Sequence, residues 1–156
     1  MELFKPDQTD LEIMKLLQAD GRMPYKELAH KVGKSINPIT ERIKKLKTEG
    51  YIAATVALLD LQKVGGTFIA FPHINLTNHL EQTLTMFKEK MIGYPEVMEC
   101  YHLTGHYDFM MKVIVPSMAD YDRFLRHKIS NLPYVGAVQS FLALSEVKRT
   151  TAYPFL

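Results

Sequence analysis

Apolar residues recur every three or four positions through the first fifty residues, then shift in places to every second position. Ile13, Met14, Leu16 and Leu17 share one side of a helix. Thr9-x-x-Glu12 has the spacing of a capping box at its start, and Asp20-Gly21-Arg22 supplies its end. Leu28, Ala29 and Val32 mark a second helix over about 25–32. Gly33 follows where a helix commonly closes in a left-handed residue. Ser35 or Asn37 caps a third helix, with Pro38 in its first turn and Ile39, Ile43 and Leu46 as its buried stripe. Asn37, Thr40, Glu41, Lys44, Lys45 and Lys47 are left to face outward or flank that stripe. Helix, short glycine turn, helix is the layout of a DNA-binding helix-turn-helix.

Beyond Tyr51 the pattern changes. Residues 51–61, YIAATVALLDL, read as an extended linker strand broken by Gly65-Gly66. Strands are expected over about 67–76, 97–104, 107–115 and 137–147, with amphipathic helices over 78–92 and 118–129. The order βαββαβ places two helices on one face of an antiparallel sheet, a ferredoxin-like arrangement. The fold class is therefore α+β: a helix-turn-helix domain over 1–52, a linker strand and hinge over 53–66, and an αβ domain over 67–156. Pro72 has no N–H for a ladder, so a bulge or an open neighbour is expected there. Phe68, Ile69, Phe71, Tyr101, Leu103, Met110, Phe141 and Leu142 are more apolar side chains than one sheet face should expose, which implies pairing with a second copy.

Charge sharpens the reading of the first domain. Between Tyr25 and Gly50 stand seven Lys and Arg against three Glu, whereas the whole chain carries a net charge of only +2. The positive charge is concentrated on the helix-turn-helix, where phosphate attraction would act. Taken alone, a lysine run is an ordinary solvated helix face; the turn geometry before it favours nucleic acid. Asn37, Thr40 and Glu41 are the candidates for base edges, and Arg42, Lys44 and Lys45 for phosphates or guanines. Arg42 has a competing reading, an intramolecular pair.

The remaining composition excludes more than it assigns. The single cysteine, Cys100, permits no internal disulfide and suits a reducing cytoplasm. It reads as a buried structural thiol, with no Lys or Arg close in sequence to lower its pKa. The opening MELFKPDQTDLE lacks the basic start and apolar run of a signal peptide, and no apolar run is long enough to span a bilayer. His102, His106 and Asp108 do not form a convincing metal set, because a tight turn divides them. His73, His79 and His127 read as surface or packing residues. No phosphate loop, nucleophile elbow or suitably spaced carboxylate pair is present, so neither catalysis nor a cofactor is expected.

Three segments carry a resemblance to the Lrp/AsnC, or feast/famine, family of bacterial and archaeal regulators. LEIMKLLQADGR (Leu11–Arg22) resembles the family's opening helix, and ELAHKVGKSINPITERIKKLKTEGYI (Glu27–Ile52) its helix-turn-helix. LTGHYDFMMKV (Leu103–Val113) resembles its Gly-x-x-Asp turn between two strands. The resemblance implies a winged-type DNA-binding domain that includes Ser35 and Pro38, joined to an effector domain that dimerises through its sheets. It also implies homodimers assembling further, often to octamers, with an amino acid bound between subunits. Thr104, Gly105, His106, Tyr107 and Asp108 match the pocket region, and Ser140 stands where the family often has Thr or Ser. Asp108 would accept a bond from an amino group while backbone N–H groups near Gly105 hold a carboxylate; the plain alternative is an aspartate bonding its own turn. Two other functions fit the same residues: an architectural protein that wraps DNA without an effector, or an amino-acid-binding oligomer whose helix-turn-helix contacts protein.

Overall fold

The computed structural model describes residues 4–65 and 67–155. Residues 1–3 of the opening stretch and Gly66 of the expected Gly65–Gly66 break lie outside them. The chain divides into two compact units, one of residues up to 58 together with those from 148, the other of residues 59–147.

The first unit is built on α1 (Gln8–Ala19), α2 (Tyr25–Val32) and α3 (Ile36–Thr48). Ile13, Leu28, Ile39, Ile43 and Leu46 are essentially inaccessible to solvent and form its core with Met14, Met23 and Ala29. The helical spacing of these residues puts them on facing sides of the three helices, so burial rather than intrinsic propensity holds the short α2. Gly33 ends α2 at φ 68°, the left-handed conformation its position predicts. Ser35 occupies the N-cap of α3 with extended backbone but makes no side-chain capping bond, and Pro38 lies in the first turn.

Three expectations are corrected here. Helix α1 is capped by Asp7, not Thr9; Asp7 and Asp10 form the reciprocal capping box at the same three-residue spacing, two residues earlier. The expected strand over 51–61 is not formed: residues 53–60 have no regular secondary structure, and a four-residue helix, α4 (Leu61–Val64), follows. The last residues, expected within the αβ domain, pack with the first unit. There Phe155 covers part of the helical core, and Gln18 of α1 donates to the Tyr153 carbonyl at 3.2 Å and accepts from the Tyr153 N–H.

The second unit has β1 (Phe68–Leu76), α5 (Glu81–Ile92), β2 (Val97–His102), β3 (Phe109–Val115), α6 (Met118–Phe124) and β4 (Val135–Leu142). The strands pair antiparallel in the order β2-β3-β1-β4, so β1 is central, as the split βαβ reading requires. Pairing of β1 with β4 runs unbroken through Pro72, whereas the register with β3 passes from Ala70 directly to His73. The missing N–H is thus accommodated on the β3 side. Helix α6 continues into a π-helical turn, Leu125–Ile129. Strand β4 ends at Leu142 rather than 147.

Alternation sorts the sheet into two faces. Ala70, Ile74 and Leu76 of β1 and Phe109, Met111, Val113 and Val115 of β3 are buried beneath the helices with Phe87, Met91, Tyr121 and Phe124. The opposite face carries Phe71, Met110, Tyr101 and Phe141, with no helix over it among the described residues of this unit, and Tyr101 and Phe141 are 48% and 47% exposed.

Candidate nucleic-acid and effector sites

Helix α3 presents Asn37, Glu41 and Lys44 from consecutive turns, all exposed, with Ile36, Thr40 and Lys47 beside them. Lys44 Nζ reaches Glu41 Oε1 at 3.0 Å, a fully solvated pair that restrains neither side chain strongly. The Thr40 hydroxyl donates to the Ile36 carbonyl at 2.9 Å, bonding within its own helix. These residues form a convex polar ridge with the basic end of the helix adjoining it.

Arg42 and Lys45 do not share that ridge. They turn toward the start of α1, where Arg42 Nη1 meets Asp7 Oδ2 at 2.7 Å and Asp10 Oδ1 at 2.8 Å. Asp10 is 2% exposed, so its charge is compensated inside the unit. The guanidinium pKa is held above its usual value chiefly by its hydrogen bonds to Asp10 and Asp7. The backbone bond from Asp10, then Arg42, holds the Asp7 carboxyl below the usual carboxylate range. Lys45 Nζ stands 4.0 Å from the centre of the Phe4 ring, and the Tyr51 hydroxyl ties down the Phe4 carbonyl at 2.8 Å. Of the candidates for DNA, the structure therefore brings Asn37, Glu41 and Lys44 together on the exposed ridge with Thr40 beside them, and places Pro38, Arg42 and Lys45 on the flank. Sequence reasoning missed Phe4, Asp7 and Asp10; the Asp7-x-x-Asp10 spacing was the available signal.

In the second unit, the turn between β2 and β3 contains Thr104, Gly105, His106, Tyr107 and Asp108. It is closed by the Leu103 N–H on the Asp108 carbonyl at 2.8 Å, and Gly105 sits at φ 114°, a conformation L side chains rarely adopt. The Asp108 carboxylate is already engaged: Oδ2 accepts the Leu76 N–H at 2.7 Å and Oδ1 pairs with His79 Nε2 at 2.7 Å. Tyr107 crosses to Gln139 with a hydroxyl bond, and its ring meets His73 and His106 edge-on. Ser140 is not part of this group. Its Oγ bonds the hydroxyl of the buried Tyr121 at 2.6 Å on the helix-covered side, whereas its neighbour Gln139 reaches Tyr107 on the open side. Strand alternation separates the two, so within one chain Ser140 lies on the opposite face of β4 from the residue that meets the turn. His73, Gln139 and Phe141 are the neighbours that sequence reading did not bring to this site; the register that sets His73 opposite Gln139, with the Phe141 ring against His73, was the structural fact it lacked.

No group of three His, Cys, Asp or Glu able to hold a metal occurs among the described residues. Cys100 is exposed on the edge strand β2 rather than buried, yet its side faces a groove lined by Met91, Ile92, Met98 and Phe109. Desolvation there pushes its thiol up to about 11, so little thiolate is present near neutral pH.

A basic helix-turn-helix unit attached to a separate αβ sandwich with a solvent-exposed turn is the architecture of a ligand-binding transcriptional regulator. Residues 69–153 match the Lrp/AsnC ligand binding domain, and residues 6–53 match a winged helix-turn-helix DNA-binding domain. The chain is 34% identical over 148 residues to the Bkd operon transcriptional regulator of Pseudomonas aeruginosa, spanning 95% of this chain and 97% of that one. It is 38% identical over 144 residues to the proline dehydrogenase transcriptional activator of Rhizobium radiobacter, covering 92% of each. Among solved structures, an AsnC family regulator from Agrobacterium tumefaciens superposes with a TM-score of 0.90 at 36% identity, covering 96% of this chain and 97% of that one. A Neisseria meningitidis regulator solved as a complex with L-Met superposes at 0.89 with 29% identity, over 96% and 97% of the two chains. The chain belongs to the Lrp/AsnC family of transcriptional regulators. It is a regulator and not an enzyme.

Proposed function

We propose that the chain binds duplex DNA sequence-specifically through α3, as a homodimer or octamer, and that an amino acid bound between subunits modulates its assembly or DNA binding in the cytoplasm. The observation that carries the DNA arm is the exposed ridge of Asn37, Glu41 and Lys44, with the local basic charge around it. In this reading α3 enters the major groove, with Asn37, Thr40 and Glu41 toward base edges and Lys44 and the flanking Lys45 toward phosphates. Oligomerisation is supported by the uncovered sheet face and its aromatic residues. The effector arm is supported by the exposed Thr104, Gly105 and His106 at the turn, and by the relative captured with L-Met. In this reading the turn contributes backbone N–H groups and the Thr104 hydroxyl, while Asp108 shapes the turn through Leu76 and His79.

A thermal-shift screen of the twenty amino acids, followed by duplex-binding titrations with and without any stabilising one, tests this reading. A ligand selective for the folded state raises the melting temperature by mass action. The expected result is at least one stabilising amino acid that also changes duplex affinity. Duplex binding that ignores both sequence and every amino acid would favour the architectural alternative. Amino-acid binding with no duplex binding at low salt would favour a helix-turn-helix that contacts protein.

A further inference from the structure

We infer that Arg42 is a positioning residue, which fixes the pose of α3 against the start of α1 and does not itself contact DNA. This rests on the DNA-binding reading above and assigns a different task to one residue of that helix. Every oxygen of the two carboxylates is committed. Asp7 Oδ1 accepts the Asp10 N–H at 2.9 Å and Asp10 Oδ2 accepts the Asp7 N–H at 3.0 Å, closing the capping box. Asp7 Oδ2 and Asp10 Oδ1 both accept from Arg42 Nη1, at 2.7 and 2.8 Å. The two protons of one guanidinium nitrogen are thereby shared between two carboxylates. The box that starts α1 and the clamp that holds α3 are one hydrogen-bonded network, and charge assistance makes its bonds strong and directional.

Electrostatics points the same way. Two carboxylates beside one guanidinium leave the cluster net negative, and a DNA phosphate gains nothing by approaching it. The side chain of Asp10 is only 3% exposed, so turning Arg42 away toward DNA would leave a buried charge uncompensated. Arg42 follows Glu41 directly and lies one turn before Lys45, so the clamp acts on the stretch of α3 that carries the exposed ridge. One turn further along the flank, Lys45 lies over Phe4, whose carbonyl is held by Tyr51, giving the same side of the helix a second attachment.

The test uses the full chain and a fluorescein-labelled random-sequence duplex, titrated over a salt series with Arg42→Gln, Asp10→Asn and the double variant. A positioning role predicts that each single variant loses affinity by the same factor at every salt concentration, with the slope of log affinity against log salt unchanged. The double variant should be no worse than the weaker single one, because both break one contact. Arg42→Lys should recover part of the loss. Ile13→Val, which loosens the same unit without touching the clamp, should bind as the wild type does. A phosphate contact predicts instead that Arg42→Gln lowers the slope by about 0.9 while Asp10→Asn binds as well as the wild type or better, and that result would overturn the proposal. If the wild type binds no duplex, the DNA-binding reading fails separately. The backbone amide chemical shifts of residues 36–48 then decide the positioning claim: movement along α3 in Asp10→Asn supports it, and unchanged shifts sink it.

Discussion

Asp108 accepts the backbone N–H of Leu76 at 2.7 Å at the point where the pairing of β1 with β4 slips between Asn75 and Leu76. The β1–β3 ladder ends at Ile74 and Phe109, and one step beyond it the aspartate of the Gly-x-x-Asp turn takes up the N–H that no strand partner meets. The residue that the family resemblance marks as part of the effector pocket therefore also holds the central strand in place.

This double engagement predicts a stability cost. Leu76 is 7% exposed, so Asp108→Ala leaves a buried N–H without its acceptor. The expected loss is about 1–3 kcal/mol, read from the urea midpoint. An unchanged midpoint would show that the bond contributes nothing and that the carboxylate is free for a ligand.

The capping box predicts an acid-sensitive step. Asp7 titrates below its ordinary value of 3.8 in the folded chain, first through the Asp10 backbone bond and then through Arg42. A depressed carboxylate pKa contributes stability that is full above the unfolded value and is lost as pH falls through the folded one. The melting temperatures of wild type and Asp7→Asn should therefore differ at neutral pH and converge on acidification below that value. A constant difference down to the lowest pH would rule out this carboxylate as the source.

The open sheet face predicts an association phenotype. Phe141 is 47% exposed and stacks edge-on against His73, with Phe71 opposite it on β1. Phe141→Lys should shift the chain toward monomer in analytical ultracentrifugation while its circular dichroism spectrum stays unchanged. A charged side chain desolvated against an apolar partner face is costly, so an undisturbed oligomer would place the interface elsewhere.

What was legible in the sequence follows the range of the forces involved. The stripe Ile39, Ile43, Leu46 and the left-handed Gly33 are local consequences of helix period and Cβ sterics, and both appear where the pattern put them. The strand order followed from alternation and the βαββαβ sequence of elements. The cap of α1 was misplaced by two residues because Asp7/Asp10 and Thr9/Glu12 share one spacing, and only the former also meets Arg42. Val56 and Leu58 look strand-like, yet a strand needs a neighbour, and within this chain they remain 72% and 62% exposed. The intramolecular contacts of Arg42 and Ser140 stayed out of view for one reason. Their partners, Asp10 and Tyr121, lie 32 and 19 residues away, and no local pattern announces a contact of that kind.

The central claim is that α3 meets DNA, and a salt-dependence titration of Lys44→Ala/Lys45→Ala against the wild type tests it most directly. Each phosphate contact adds about 0.9 to the slope of log affinity against log salt, so the double variant should lose about 2 from it. A duplex that binds with an unchanged slope, or no duplex binding at low salt, would contradict the account.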